Sequence, residues 1–595
     1  PYMRTMEQQN LRMSHGVYAT LIGNYEITDW LTYNVTGYAA KGTSQSANYD
    51  NIWLNPNDPQ ATRNYSDSFT WRLINRIDIK KTFLDAHNIL LTGVYEAEAY
   101  EGWGLSGTGR NMPLPDLARY YKIDLSNLQS ASSSFGESSR LAYLARLNYN
   151  YKSRYYFTAS YRIDAQSGPI DRKEENKYGA FPSFAGSWRI SEEPFMKNRF
   201  FDDLKLRLGW GITGNPSGFP FTSMSKANNR YGLGSELLGY VPGTPANPNI
   251  KWEETTQTDI GLDFTILEGK LSVTFDYFNK KTTDLLTRKV LPGYYGYGGS
   301  ASYTQNLGQI NNNGYEATLN FKPVQTKDFY WGLNFNISAV KNEVIDLGEQ
   351  EAFLTGTDGN GFLDVRTYRV QEGLPLGSMW GYKFLGIWGS SEAEEAAKYG
   401  AQPGDPKWED VNKDYAITLT DDGQKIGDAN PDFVWGLSSA FSYKNFDFDF
   451  TIQGMHGQDV FNLLRAAMST AHPDSRSITL RDPAFNYWTT DNQNTEWANI
   501  HSTSDKKKLN STQWMEDGSW VKVKYVGVTY HLPKEWINFA DLSISLSGTD
   551  LLTFTKYKGY DPEVSASGSS DEWGGCDFGT FPIPKSVNLG VILNF

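Results

Sequence analysis

The sequence predicts an all-β chain, a single antiparallel sheet of about 19 strands of the kind that closes into a transmembrane barrel. Three observations lead there. Apolar and polar residues alternate with period 2 in segment after segment. No apolar run approaches the roughly 20 residues that a membrane helix requires. Tight connections alternate along the chain with long ones.

The alternation is plainest in "NFDFDFTIQG", where Phe446, Phe448, Phe450 and Ile452 alternate with Asp447, Asp449, Thr451 and Gln453. In "RYYFTASYRID" the row Tyr155, Phe157, Ala159, Tyr161, Ile163 alternates with Arg154, Tyr156, Thr158, Ser160, Arg162. Leu271, Val273, Phe275 and Tyr277 repeat the pattern against Ser272, Thr274 and Asp276. So do Tyr315, Ala317, Leu319, Phe321 and Trp331, Leu333, Phe335, Ile337. The last segment, "KSVNLGVILNF", carries Val587, Leu589, Val591, Leu593 and Phe595 on one face, which marks it as the C-terminal barrel strand. Period 2 alone does not say which face is inward. A soluble sandwich hides the apolar row, whereas a membrane barrel turns it to lipid and keeps the polar row for its lumen.

The connections sort by length in the barrel manner. Short ones are expected near residues 27, 152, 268, 325, 374 ("EGLP") and 444, and long ones over roughly residues 41–65, 100–136, 213–251, 390–430, 457–518 and 553–584. Across 595 residues there is no Pro-, Ser- or charge-rich linker, so one architecture over residues 1–595 is favoured over several domains. Aromatic residues make up 15% of the chain although its mean hydropathy is −0.53, which fits strands apolar on one face only. A net charge of −13 argues against a nucleic-acid partner. The single cysteine, Cys576, excludes an intrachain disulfide and reads as a loop thiol without a role.

Several segments in this order resemble the barrel of SusC/RagA-type TonB-dependent transporters: "NIKWEETTQTDIGLDFTILEGKLSVTFDYFNKKTTDLL", "NLGQINNNGYEATLNF", "GLPLGSMWGYKFLGIW", "GDANPDFVWGLSSAFSYKNFDFDFTIQGMHGQDVFN", "MEDGSWVKVKYVGVTYHLP" and "YKGYDPEV" followed by "FPIPKSVNLGVILNF". The resemblance implies a multi-pass β-barrel in the bacterial outer membrane, importing oligosaccharides or peptides captured by a SusD-like surface lipoprotein and energised through TonB. It implies about 22 strands around a plugged lumen. It also implies a signal peptide, accessory domain, TonB box and plug, none of which lies in these residues. The expectation is therefore a C-terminal part that begins in an extracellular loop, lacks the first three strands, and meets TonB and the plug through the N-terminal remainder of the same protein. The lipid bilayer then faces Phe446, Phe448 and Phe450, and the lumen faces Asp447 and Asp449.

The sharpest local chemistry is "DVNKDYAITLTD", within the long loop 390–430. Asp410, Asn412, Asp414, Thr418 and Asp421 fall at positions 1, 3, 5, 9 and 12 of a calcium loop, and Ala416 offers its carbonyl at position 7. Tyr415 stands where such loops prefer Gly, and Asp421 is shorter than the usual Glu. The alternative is an Asp/Asn-rich turn without metal. No cofactor is required, with Ca²⁺ the one candidate.

Other candidates are weaker. The six histidines, His15, His87, His456, His472, His501 and His531, show no metal-ligand spacing, no G-x-S-x-G elbow is present, and "GYYGYGGS" lacks the context of a phosphate loop. Glu253 and Glu254 read as solvated rim charge. Trp53, Trp103, Tyr294, Tyr295, Tyr297, Trp488 and Trp573 either stack on cargo or belong to girdles and loop cores. The substrate-binding residues are not assigned. The alternative functions, a secreted or surface all-β carbohydrate-active protein or an adhesion protein, call for repeat-period motifs or a convergent carboxylate pair, and neither is present. No catalytic residues are expected.

Overall fold

The computed structural model describes residues 9–50, 58–111, 119–126, 128–167, 173–196, 200–216, 227–231, 239–242, 247–291, 294, 302–356, 367–469, 481–502, 510–537, 539–566 and 572–594. Phe595, His472, Trp53, Tyr295, Tyr297 and most of "GYYGYGGS" lie outside them. Among the described residues seventeen strands belong to one sheet. They are β1 (Gln9–Thr28), β2 (Leu31–Asp50), β3 (Gln60–Phe83), β4 (His87–Arg110), β5 (Leu128–Tyr151), β6 (Tyr155–Ser167), β7 (Tyr178–Arg189), β8 (Phe201–Asn215) and β9 (Glu253–Ile266). They continue with β10 (Leu271–Thr283), β11 (Gln309–Gln325), β12 (Phe329–Asp346), β13 (Phe433–Tyr443), β14 (Phe446–His456), β15 (Trp520–His531), β16 (Asp541–Thr555) and β17 (Ser586–Asn594).

The chain divides into two compact units, Pro1–Trp188 with Gly209–Thr256 and Thr282–Leu307, and Arg189–Leu208 with Gln257–Lys281 and Gly308–Phe595. In the first, β1 to β7 pair antiparallel in chain order. In the second, β11 to β17 do the same. Short and long connections alternate as expected. Three of the tight turns hold paired non-glycine residues in the left-handed region: Leu84 and Asp85, Lys152 and Ser153, and Leu267 and Glu268, the last pair followed by Gly269 in the same region. That backbone matches the twist of a two-residue hairpin and carries a steric cost for residues with a Cβ.

Two expectations are corrected. "EGLP" is not a hairpin between sheet strands. It joins Tyr368–Val370 to Ser378–Gly381, strands of three and four residues inside one connection running from β12 to β13. Such segments extend only about 10–13 Å and cannot cross a bilayer, so they are not among the seventeen described strands of the sheet. The long connection correspondingly covers 347–432, not 390–430. Conversely β2 to β5 run through much of 41–65 and 100–136, where loops were expected. There the strands are rich in Ser, Gly, Thr and Asn on both faces, so no apolar alternation betrays them.

The faces are inverted relative to a soluble sheet. In β14, Phe446 and Phe448 are exposed, while Asp447 and Asp449 between them are half-buried. In β17, Val587, Leu589, Val591 and Leu593 are 71%, 75%, 62% and 43% exposed. In the first unit, Phe69, Trp71, Leu73 and Ile77 of β3 share an exposed row with Tyr161 and Phe157 of β6. Apolar surface on this scale is stable only against an apolar medium. The opposite face carries charge that is paired. In the first unit Arg72 reaches Glu98 and, at 3.6 Å, Glu96, while Arg162 holds Asp164 at 2.6 Å and approaches Glu96 at 3.7 Å. Ala142 lies between Glu96 and Asp164 in register, and its small side chain leaves the space over which these pairs meet. In the second unit Arg207 grips Asp263 through two bonds of 2.7 and 2.9 Å and also Asp276. A Cβ on Gly261 would stand 2.6 Å from the guanidinium carbon, so glycine there makes room for the clasp. Asp447 accepts a hydrogen bond from His531 Nε2 at 2.6 Å, and the other ring nitrogen, Nδ1, meets Ser543 Oγ at 2.8 Å.

The inversion predicts that Phe448→Asp lowers the stability of the inserted barrel by about 1–2 kcal/mol, while Asp449→Asn stays within about 0.5 kcal/mol. Heat-modifiable gel mobility across a urea series measures both; equal, mild effects contradict the outward assignment of Phe448.

Candidate functional site

The chemistry-bearing side chains outside the strands gather in the second unit, where three long connections, residues 347–432, 457–519 and 556–585, fold on one another. Sequence supplies the means: each contributes a few large apolar residues among turns. Tyr368, Met379, Phe461, Leu463, Ala466, Trp514 and Cys576 form a buried core drawn from all three. Phe461 bridges Cys576, Val460 pairs with Glu516, and Tyr382 bridges Ser511, which ties the connections by backbone as well. Tyr368 donates its hydroxyl to the Gly574 carbonyl at 2.7 Å.

Cys576, expected to be an idle loop thiol, is instead 1% exposed in this core. Burial first, and the neighbouring Asp577 carboxylate second, push its thiol up to about 12. Asp577 accepts from the Tyr557 hydroxyl at 2.5 Å and from the Gly579 N–H at 2.9 Å, and burial raises the Tyr557 phenol well above its usual value. Trp488 is buried, and Trp573, partly buried, packs against the core. Trp103 lies 5.5 Å from Tyr65 on the outer row of the first unit, and Tyr294 is exposed. Glu253 is not merely rim charge: it accepts from the Leu286 N–H and the Asn215 amide, both at 2.8 Å.

The module is fastened to the sheet by charge. Lys522, on the polar face of β15, is 2% exposed at its side chain and bonds Asp561 at 2.6 Å and Glu563, while Lys524 bonds Glu563 at 2.7 Å and Asp550 at 3.2 Å. Both ammonium groups lie over the Trp520 ring. Burial favours a neutral Asp561, yet the Lys522 bond and the Glu563 N–H outweigh it and hold the carboxyl below its usual range. Sequence reasoning did not single out this clasp. The available signal was "VKVKY", which puts two lysines on the polar face, with an unassigned "DPE" further along the chain.

In the candidate calcium loop, Asp410 accepts the N–H groups of Lys413 at 2.6 Å and Tyr415 at 3.0 Å, Asn412 bonds Asp414 at 2.9 Å, and Asp414 accepts the Ala416 N–H at 2.8 Å. Asp410, Asn412 and Asp414 thus share one tight turn. Thr418 and Asp421 bond each other instead, at 2.9 Å. The buried carboxylate that closes the loop is Asp422, which accepts from the N–H groups of Val411 and Thr418. Among the described residues no group of three or more His, Cys, Asp or Glu converges as if on a metal.

A family model described as "TonB dependent receptor-like, beta-barrel" matches residues 4–453. The chain belongs to that family. The receptor barrel is 29% identical to TonB-dependent receptor P3 of Formosa agariphila over all of its length and 59% of the relative's. It is 29% identical to TonB-dependent receptor SusC of Bacteroides thetaiotaomicron, over 76% of this chain and 44% of that one. A solved chain of the RagAB peptide transporter superposes with a TM-score of 0.84 at 20% identity, covering 100% of this chain and 63% of the other. The chain therefore spans less than two thirds of the length of these relatives. It is an outer-membrane β-barrel, which accounts for the exposed apolar rows as lipid-facing, and it is not an enzyme.

The clasp yields a prediction. Lys522→Ala strands the Asp561 carboxylate, while Glu563 keeps its bond to Lys524, and should destabilise docking of residues 556–564 by about 3–5 kcal/mol, whereas Lys524→Ala leaves Glu563 its bond to Lys522 and should cost about 1 kcal/mol. Because the Asp561 carboxyl is depressed, its contribution is full above the ordinary carboxylate range and is lost only as pH falls below it. Hydrogen exchange in residues 556–564 reads both effects; equal protection in the two variants would show that the clasp is not what holds the loop.

Proposed function

We propose that the complete protein is a SusC/RagA-type importer, in which this chain forms the barrel wall and extracellular loop module, and the remainder supplies the plug, the TonB contact and the first strands. In this reading a SusD-like surface lipoprotein delivers oligosaccharides or peptides to the loop side, and TonB energises their passage. The observation that carries it is the inverted sheet, with lipid-facing aromatic rows behind a face of paired charges. A wall of that kind bounds a wet path. The likenesses to SusC and to the RagAB peptide transporter support the choice among TonB-dependent systems. The loop module supports it too, since three knitted loops make one broad surface rather than separate fingers.

The test is deletion of the complete gene in its own host, with uptake of labelled oligosaccharides and labelled peptides measured against a TonB-deficient strain. Loss of uptake for one class in both strains, with restoration by the gene, is the expected result. Unchanged uptake of both classes, or uptake lost only without TonB, would remove the importer reading.

We also propose that the 410–421 loop takes Ca²⁺ through Asp410, Asn412 and Asp414, with Ala416, Thr418 and Asp421 completing the set after the Thr418–Asp421 pair opens. The shared tight turn of the first three supports this. Calcium titration of the complete receptor should show saturable heat and slower exchange in this loop, both lost in Asp410→Ala, Asp414→Ala. A native titration no different from that of the double variant rejects the site.

A further inference from the structure

The outward row of β3 runs on from Ile77 through Lys81 to Phe83, at the tight turn that joins β3 to β4. Register sets His87, Tyr151, Tyr155 and Trp188 beside Phe83 in one line across five strands. The rings follow closely, with His87 4.7 Å from Tyr151, and Tyr155 6.3 Å from Tyr151 and 6.5 Å from Trp188. Tight turns of an outer-membrane barrel are periplasmic, so this line marks where lipid meets water on that side. Two cations flank it. Lys81 Nζ stands 5.3 Å from the Phe83 ring and Lys152 Nζ 5.3 Å from the Tyr151 ring, and neither makes an ion pair among the described residues. The two turns are tied together, since the Lys152 N–H donates to the Ala86 carbonyl at 2.8 Å. Residues 81–87 and 151–155 set Lys81, Lys152 and Arg154 against one carboxylate, Asp85. The adjoining turn between β1 and β2 is the reverse, with Asp29 and no cation.

Between the two ammonium groups sits a third donor. His87 Nδ1 meets the Tyr149 hydroxyl at 2.8 Å. When that hydroxyl donates, the ring proton resides on Nε2, which has no partner among the described residues and can bond an anion. Lys81, His87 and Lys152 thus belong to three neighbouring strands, about 10 Å from first to last. Toward the membrane interior the same face turns apolar, through Ile89, Leu91 and Leu147, and then opens at Gly93 opposite Ala145. A Cβ on Gly93 would meet no atom within 4 Å. In register Ile77 and Tyr161 bound this hollow at its sides, and the Tyr95 and Tyr143 rings, 5.3 Å apart, close its far end. From His87 to Gly93 the strand advances about 20 Å. At a barrel tilt of about 40° that is a rise of about 15 Å, half of a hydrocarbon core of roughly 30 Å. A cationic head and a hollow one leaflet deep have the dimensions of a phospholipid.

We infer that the outward face of β3 to β5, at its periplasmic end, holds an anionic phospholipid of the inner leaflet, with the phosphate between Lys81, His87 Nε2–H and Lys152 and an acyl chain in the hollow at Gly93 and Ala145. The cations select for charge, and the hollow supplies the fit. This inference rests on the membrane placement of the sheet and not on the importer reading, so either stands if the other fails.

The experiment uses the complete receptor, delipidated in detergent, and native mass spectrometry with phosphatidylglycerol, phosphatidylcholine of the same chains, and inorganic phosphate. Phosphatidylglycerol should bind saturably and about tenfold more tightly than phosphatidylcholine, and inorganic phosphate should not displace it. The double variant Lys81→Ala, Lys152→Ala should lose that preference while heat-modifiable mobility is retained. His87→Phe, which keeps the line of rings but removes the Nε2 donor, should weaken phosphatidylglycerol several-fold. Gly93→Leu should weaken both lipids by filling the hollow. Equal affinity for the two lipids, displacement by inorganic phosphate alone, an undiminished preference in the double lysine variant, or binding unchanged by Gly93→Leu would overturn the inference.

Discussion

Backbone hydrogen bonding in a medium that offers none is the constraint on which everything else here depends. A strand facing lipid cannot leave an N–H or C=O unpaired, so its neighbours must follow it residue for residue across the bilayer. The unbroken registers of β2 to β5 obey this, and so does the alternation of tight and long connections, because every second turn must be made at once on the near side of the membrane. Once the backbone is closed off, side chains are free to divide by face. The apolar rows look outward, and the charges inward, where half-exposed pairs such as Arg162 with Asp164 contribute little stability each but keep a wet wall fully bonded.

The same constraint relaxes beyond the membrane, and the chain uses that freedom in two ways. In the first unit it carries β2 to β5 onward as bare sheet made of small polar residues. In the second it abandons the sheet for connections that build a core of their own. Lys522 is the joint between these regimes. It sits on a sheet strand yet takes its partners from a loop, and its near-complete burial means that its charge is balanced only while Asp561 and Glu563 remain in place.

The parts of the fold legible in the sequence were those where one face meets lipid, since only there does polarity alternate. β14 is a strand with its polarity alternating for that reason, Phe446 and Phe448 exposed and Asp447 and Asp449 half-buried. Legibility failed where both faces meet water. The upper halves of β2 to β5 look like loop because Ser, Gly and Thr suit either, and "GSMWGYKFLGIW" looks like barrel strand although it builds short strands within a connection. The loop core was invisible for another reason: Tyr368, Phe461, Trp514 and Cys576 are far apart in the chain, and no local pattern links them. Lys522 and its partners were hidden likewise, with only the paired lysines on a polar face to suggest that counter-charges come from elsewhere.

That separation sets an order of events during folding. The Tyr368 to Gly574 hydrogen bond spans 206 residues, and the core around it draws on all three connections that precede β13, β15 and β17. Contacts so remote in sequence form slowly, because each closes a large loop before it gains any stabilisation. Neither β13 nor β15 alone brings the third connection near, so the core cannot assemble until the chain has reached β17. The loop core is therefore late to form. A chain halted short of its last strand would leave the edge of β16 unpaired, which lipid does not tolerate, and would leave the apolar residues of its surface module open to water.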